Sequence, residues 1–325
     1  MTDIKILFLT HLGSGYVGAP NTRHGFEQEV AKLCECKFAG EGWSDYVKGE
    51  SMDETVKRVM PDADWVIDRD NNLHEKKPEN RRYKVGHFMS DLHGKHHYGI
   101  TSPVEYAELI NKAEYDAVFM RYPLLYGARY QPKVVHDWIK CEKHWVPWSV
   151  DDKWYHPKPK KIDVAFIGTT GPCYPLRNMI WENLYYVARG HKVLREQAPR
   201  GKTYERVVKT LKDTHLVGER YRDALAETRI LLFGCSIYRY VLQKFFVAPA
   251  SQCMVMSNEP AMAKRLGFVD GKTYVEVDEG NWEELLLHYL ENPDAVRQIA
   301  RNGMKNVLMN HNHRVRAEQW LEMIT

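Results

Sequence analysis

Short apolar runs alternate with amphipathic stretches along the whole chain. Residues 4–10 form a compact apolar run followed by glycines, and a run of that length predicts a buried strand. Residues 65–67, 85–89, 116–121 and 144–148 repeat the pattern. Helical spacing of apolar positions predicts helices at 52–59, 104–112 and 134–140. An earlier helix runs from Asn21 or Thr22, either of which can cap it, to about Leu33. Strands that are apolar throughout, separated by helices, predict a parallel sheet covered on both faces.

The pattern then breaks. Residues 149–161 read SVDDKWYHPKPKK, polar and proline-bearing, with no apolar period. A second α/β run follows, with strands predicted at 163–167, 192–194, 230–233, 253–256 and 273–277. Its helices are predicted at 176–188, 204–211, 221–228, 259–266, 282–290 and 293–309. The fold class expected is therefore α/β, with two Rossmann-like doubly wound domains facing a cleft. The boundaries expected are 1–150, a linker at 151–162, a second domain at 163–309 and a terminal helix at 310–325. Clefts between such domains are where ligands bind.

Composition narrows the class. The 325 residues are 44% hydrophobic and 27% charged, and the net charge is only +3, which excludes disorder as the main state. No run approaches the roughly 18 apolar residues of a membrane helix. The apolar run near the N-terminus follows Asp3 and ends without a small-residue cleavage site, so no signal peptide is expected. Six cysteines without a paired framework predict free thiols and a cytoplasmic location. The small net charge conceals an uneven distribution. Residues 191–222 carry nine Lys or Arg against four acids, and residues 75–84 five against two. Such segments are either solvated faces or contacts for an anionic partner, whether the phosphates of a small donor or a nucleic-acid backbone.

Four motifs carry candidate chemistry. Gly13-Ser14-Gly15-Tyr16-Val17-Gly18 follows the first strand and has the literal spacing of a dinucleotide loop. Pro20 delays the helix beyond the glycines, however, and no acid stands clearly at the end of the second strand, so a flexible loop bordering a substrate fits better than a nicotinamide site. Ser90-Asp91-Leu92-His93-Gly94-Lys95-His96-His97 follows a predicted strand and offers Asp91 or His93 as a general base. Gly94 argues against a helical His pair, and no metal site is expected. Phe166-Ile167-Gly168-Thr169-Thr170-Gly171 leaves a buried strand and enters a helix through Pro175, with Arg177 in its first turn. Exposed amides, a helix dipole and an arginine suit a diphosphate. Phe233-Gly234-Cys235-Ser236-Ile237-Tyr238-Arg239-Tyr240 leads to the small-residue helix that starts at Lys244.

Residues 221–321 resemble the C-terminal half of the spore-maturation (CgeB-like) group of GT-B glycosyltransferases, related to the large retaining family 4. The resemblance rests on residues 221–233, 244–251, Leu266-Gly267-Phe268-Val269-Asp270-Gly271, Tyr274, the helix opening at Trp282, and Ala300-x-x-Gly303 with His311 and Arg314. It implies a nucleotide-sugar donor held by the second domain at Gly168, Thr169, Thr170, Arg177, Tyr238, Arg239 and Lys244. It implies an acceptor bound by the first domain, bordered by Gly13, Ser14 and Gly15, with Asp91 or His93 as the base. No cofactor and no metal are expected, because Arg177, Lys244 and backbone amides would stabilise the leaving diphosphate. The two basic segments open a hydroxymethylated base in DNA as acceptor, which a duplex would have to flip out. The chain departs from the family helix, which reads Arg-x-Phe-Glu-Ala: Lys244 stands for the Arg, Val247 for the Glu that holds the ribose, and Gln252 for a Gly; Arg239 stands where an earlier Glu is usual. Valine cannot accept a ribose hydrogen bond. The alternatives are therefore a catalytically inactive GT-B binding module and, further off, an NAD-type oxidoreductase.

Overall fold

A computed structural model describes residues 3–12, 24–69, 77–89, 103–122, 137–197 and 215–325. They fall into two compact units. The first contains the N-terminal residues up to 12, His24–Pro147 and the C-terminal Arg316–Thr325; the second contains Trp148–Val315.

Among the described residues the first unit is built on six parallel strands: β1 (Lys5–Leu9), β2 (Glu35–Ala39), β3 (Trp65–Asp68), β4 (Lys84–Met89), β5 (Ala117–Met120) and β6 (Glu142–Trp145). Their order is β2-β1-β3-β4-β5-β6, so the direction of winding reverses between β1 and β3. The central strands are buried along most of their length, as strands covered on both faces must be. Helices α1 (Gly25–Val30), α2 (Met52–Val59) and α3 (Pro103–Lys112) accompany them. Ser51 starts α2 with a full capping box, its hydroxyl accepting from Glu54 N and its own N–H donating to Glu54 Oε2. Phe8, Phe26, Phe88, Phe119 and Trp320 share one core, so the C-terminal residues complete the first unit. Trp65 Nε1 donates to Ile324 O at 3.1 Å, fixing that end.

Among its described residues the second unit has five parallel strands, β7 (Ile162–Ile167), β8 (Val193–Glu196), β9 (Thr228–Leu232), β10 (Met254–Ser257) and β11 (Val275–Glu276). Their order is β11-β10-β9-β7-β8, and the winding reverses at β7. The helices are α4 (Pro175–Val187), α5 (Glu219–Glu227), α6 (Lys244–Ala250), α7 (Trp282–Glu291) and α8 (Pro293–Asn310); α9 (His313–Ile324) carries the chain from the second unit into the first. Gly303 in α8 packs so closely that an added Cβ would lie 2.7 Å from Thr273 O and 3.4 Å from Pro249.

Several local expectations need correction. Only a 3-10 turn at Ala263–Leu266 forms where a helix was expected at 259–266, because Pro260 interrupts the segment and Met262 takes a left-handed φ of 66°. The first helix ends at Val30 rather than Leu33, and its expected start at Asn21 or Thr22 lies outside the described residues. The last strand shortens to two residues. Strand β6 is Glu142–Trp145, earlier in the chain than 144–148. The expected helix at 204–211 and most of that at 134–140 lie outside the described residues.

Candidate functional site

The sheet of the second unit places its chemistry at the carboxyl ends of β7 and β9, where the strand order reverses; ligands of doubly wound folds bind at such points. After β7 the chain turns through Gly168, Thr169, Thr170 and Gly171, whose φ is 151°. It enters α4 with Pro175 at the first helical position, which needs no N–H partner. Arg177 then lies in the first turn and is 4% exposed. Its Nη1 donates to Thr169 O at 3.2 Å and its Nε to Gly234 O at 2.5 Å. One guanidinium thus ties the loop after β7 to the loop after β9. The Tyr174 ring supports its face at 3.9 Å.

Lys244 opens α6 and reaches the same place. Its ammonium donates to Ile167 O and lies 5.3 Å from the Phe233 ring centre. It fills the space that a side chain at Gly168 would occupy: a Cβ there would meet Nζ at 2.6 Å and Arg177 Nη1 at 3.7 Å. Glycine at 168 is what lets two cations converge on one turn. Burial, and then the charge of Arg177, hold the Lys244 ammonium well below the usual lysine range. The influence opposing them is the Cys235 thiol rather than a carboxylate, and burial pushes that thiol up to about 12. A buried guanidinium and a half-buried ammonium around a glycine loop make a place suited to an anion.

The structure thus brings Gly168, Thr169, Arg177 and Lys244 together. Thr170 Oγ1 accepts from Gln197 Nε2 at 3.0 Å. Tyr238 stacks on Tyr240 with ring centres 5.8 Å apart. Arg239 pairs with Glu259, Nη2 to Oε2 at 2.9 Å, on a backbone held at φ 54°. Sequence reasoning missed the acids and amide at the ends of β10 and β11. Asn258 Oδ1 accepts from Cys235 N at 2.6 Å. Burial raises the Glu276 carboxyl, with the charges of Glu259 and Asp270 adding to it. The strand-end rule could have flagged these residues, since each directly follows or ends an apolar run. Val247 is buried among the apolar residues of α6. Gln252 has a φ of 53°, which explains why glycine is usual at that position. Gly13, Ser14, Gly15, Asp91 and His93 lie outside the described residues.

The chain's two Asp-x-Asp sequences, Asp62-Ala63-Asp64 and Asp68-Arg69-Asp70, belong to the first unit, and Asp70 lies outside the described residues. Asp62 pairs with the Lys5 ammonium and Asp64 accepts from Lys5 N. Asp68 accepts from Tyr115 Oη at 2.5 Å in the first unit. All six cysteines are free thiols. Among the described residues no helix is long and apolar enough to cross a membrane.

Residues 187–322 match the family described as glycosyl transferase-like. No curated protein matches the chain. Among solved structures, sucrose-phosphate synthase from Thermosynechococcus elongatus superposes with a TM-score of 0.65 at 11% identity, over 98% of both chains. An alpha-glucosyltransferase in complex with UDP gives 0.66 at 9% identity, over 99% of this chain and 100% of that one. An alpha-glucosyltransferase with UDP-glucose and DNA containing an abasic site gives 0.65 at 10% identity, over all of both chains. Two parallel-sheet Rossmann-like units in this arrangement of strands define the GT-B fold of glycosyltransferases. The matched residues run from the end of α4 through β8, β9, β10 and β11 and through α7 and α8 into α9.

Proposed function

We propose that the chain is a glycosyltransferase that moves a sugar from a nucleotide-diphosphate sugar to a hydroxyl acceptor. The observation that carries this reading is the convergence of Arg177 and Lys244 on Gly168 at the strand-order reversal. In the reaction the bond between the anomeric carbon and the diphosphate oxygen breaks, and a bond to the acceptor oxygen forms. The proton of the acceptor hydroxyl passes to a base, for which Asp91 and His93 are the candidates. Negative charge develops on the departing diphosphate. Arg177, Lys244 and the amides of residues 168–170 stabilise it in place of a divalent metal. The family match over the second unit supports this donor assignment.

The acceptor belongs to the first unit in this reading. A cavity of about 680 Å³ there is lined by Lys57, Lys77, Arg81 and Arg82 with the acids Asp53 and Glu79; Lys57 pairs with Asp53 and Arg81 with Asp116, and part of the lining is the basic segment 75–84. It supports an anionic acceptor, with a hydroxymethylated base in DNA the specific case. One observation favours a second reading, a binding module without turnover: Val247 offers no acceptor for a ribose hydroxyl.

The deciding assay offers UDP-glucose and other nucleotide sugars, with hydroxymethylated DNA and small hydroxyl acceptors, in excess chelator. Transfer that persists under chelation is expected. Loss of transfer restored by manganese or magnesium contradicts the assigned roles of Arg177 and Lys244. Tight nucleotide-sugar binding without transfer to any acceptor selects the binding module.

A further inference from the structure

The first unit holds a pair of thiols that the proposed reaction does not use. Cys34 and Cys36 flank Glu35 where the chain turns from α1 into β2. Their sulfurs lie 3.5 Å apart. Cys34 is 6% exposed and belongs to the core that holds Phe26, Val30 and Trp320. Cys36 is half-buried and packs against the edge of that core. Other thiols of the chain are placed differently. Cys235 Sγ meets Ser257 Oγ at 3.9 Å and Asn258 O at 3.8 Å, and Cys253 Sγ meets Met254 O at 3.9 Å. Burial pushes both of those thiols up to about 12, and Cys141 up to about 11. A thiol that keeps its proton is a poor nucleophile.

The backbone lets these two sulfurs close. A disulfide needs them about 2.05 Å apart. Cys36 is fixed in the ladder opposite Ile6, but the ladder begins at Glu35, so Cys34 stands outside it. Cys34 is tied to the end of α1 instead. Its N–H donates to Val30 O at 3.2 Å and its Sγ to the same oxygen at 3.6 Å. Turning the Cys34 side chain toward Cys36 gives up only the weak S–H contact and leaves β2 paired. The hydrogen bond from Cys36 lowers the Cys34 thiol against the opposing effect of burial, and the same bond raises Cys36. Cys34 therefore carries the thiolate, and Cys36 stands beside it as the resolving thiol. A ring closed over three residues restricts the unfolded chain little, so the bond would not be a staple of the fold. Strained disulfides are the readily reduced ones.

We propose that Cys34 and Cys36 are a redox pair that a peroxide oxidises to a reversible disulfide. The Cys34 thiolate attacks one peroxide oxygen. An S–O bond forms, the O–O bond breaks, and the departing oxygen leaves as water with the proton that Cys34 gave up. The Cys36 sulfur then attacks the sulfenic sulfur of Cys34. The S–S bond forms, the S–O bond breaks, and the hydroxyl leaves with the Cys36 proton as a second water. Two thiols are oxidised and one peroxide is reduced to two waters. A dithiol reductant restores both thiols. The pair is independent of the donor site and of the acceptor reading.

The test uses the full reduced chain, a small excess of hydrogen peroxide, alkylation of the remaining thiols, and mass spectrometry of the intact chain and its peptides. The intact mass falls by two hydrogens, and four of the six thiols still take the alkylating reagent. Peptide mapping places the new bond between Cys34 and Cys36. Dithiothreitol returns all six thiols. Cys36→Ala leaves Cys34 as a sulfenic acid that dimedone labels. Cys34→Ala slows oxidation of Cys36 at least tenfold or so, because the thiolate is gone. The wild-type map needs no substitution, so it decides the matter if either variant does not fold. Peroxide that consumes the six thiols evenly, links other cysteines, or takes Cys34 to the sulfinic acid without a disulfide overturns the pair. A Cys34–Cys36 bond that dithiothreitol leaves intact overturns its reversibility and with it the redox role.

Discussion

Gly168 carries the argument at the scale of one residue. Its missing side chain is the space into which the Lys244 ammonium projects. Gly168→Ala displaces only the far end of a flexible chain, so the melting temperature should change little. UDP affinity should fall by roughly tenfold, about 1.4 kcal/mol, as Lys244 is pushed from the loop. A large melting loss with unchanged UDP affinity would show that Lys244 serves the fold instead. The depressed range of Lys244 sets a second expectation. Its charged form is lost at lower pH than in an ordinary lysine, so UDP binding should take up a proton and weaken as pH rises. Lys244→Arg keeps its charge and should flatten that dependence. A wild-type affinity independent of pH would contradict the role given to the ammonium. Which residues meet at this loop was only partly legible in the chain. Arg177 stands in a recognisable strand–turn–helix opening, whereas Lys244 lies 76 residues beyond Gly168 and could be joined to it only through the family resemblance.

At the scale of elements, the most apolar strands were the easiest to read. Strands β1, β3, β5, β7 and β10 are buried on both faces, so their apolar runs are nearly continuous. Strand β2 was read only by its end, near residues 37–40, because Glu-Cys-Lys-Phe-Ala alternates polar and apolar residues at the edge of its sheet. The helix expected at 259–266 failed for a different reason: Pro260 and the left-handed Met262 interrupt an otherwise suitable pattern. The Ala300-x-x-Gly303 pair marked something real, the close approach of α8 to α6 and to Thr273. Gly303→Ala should therefore cost about 1–3 kcal/mol by overpacking, although alanine is the better helix former. Denaturant unfolding measures it, and a stabilised variant would show that the backbone contact yields easily.

At the scale of the whole molecule, two parallel-sheet Rossmann-like units give the chain the GT-B fold. Folds alone do not fix function. The proposed function therefore rests on Arg177 and Lys244 together holding a diphosphate. The most direct measurement is UDP affinity of the full chain by calorimetry, compared between wild type and Arg177→Ala, with melting temperatures recorded beside it. A lost charge-assisted contact should weaken UDP roughly ten- to hundredfold. The account predicts that loss together with a chain that still unfolds cooperatively. Unchanged UDP affinity with a sharply lower melting temperature would contradict it, because Arg177 would then only tie two loops together.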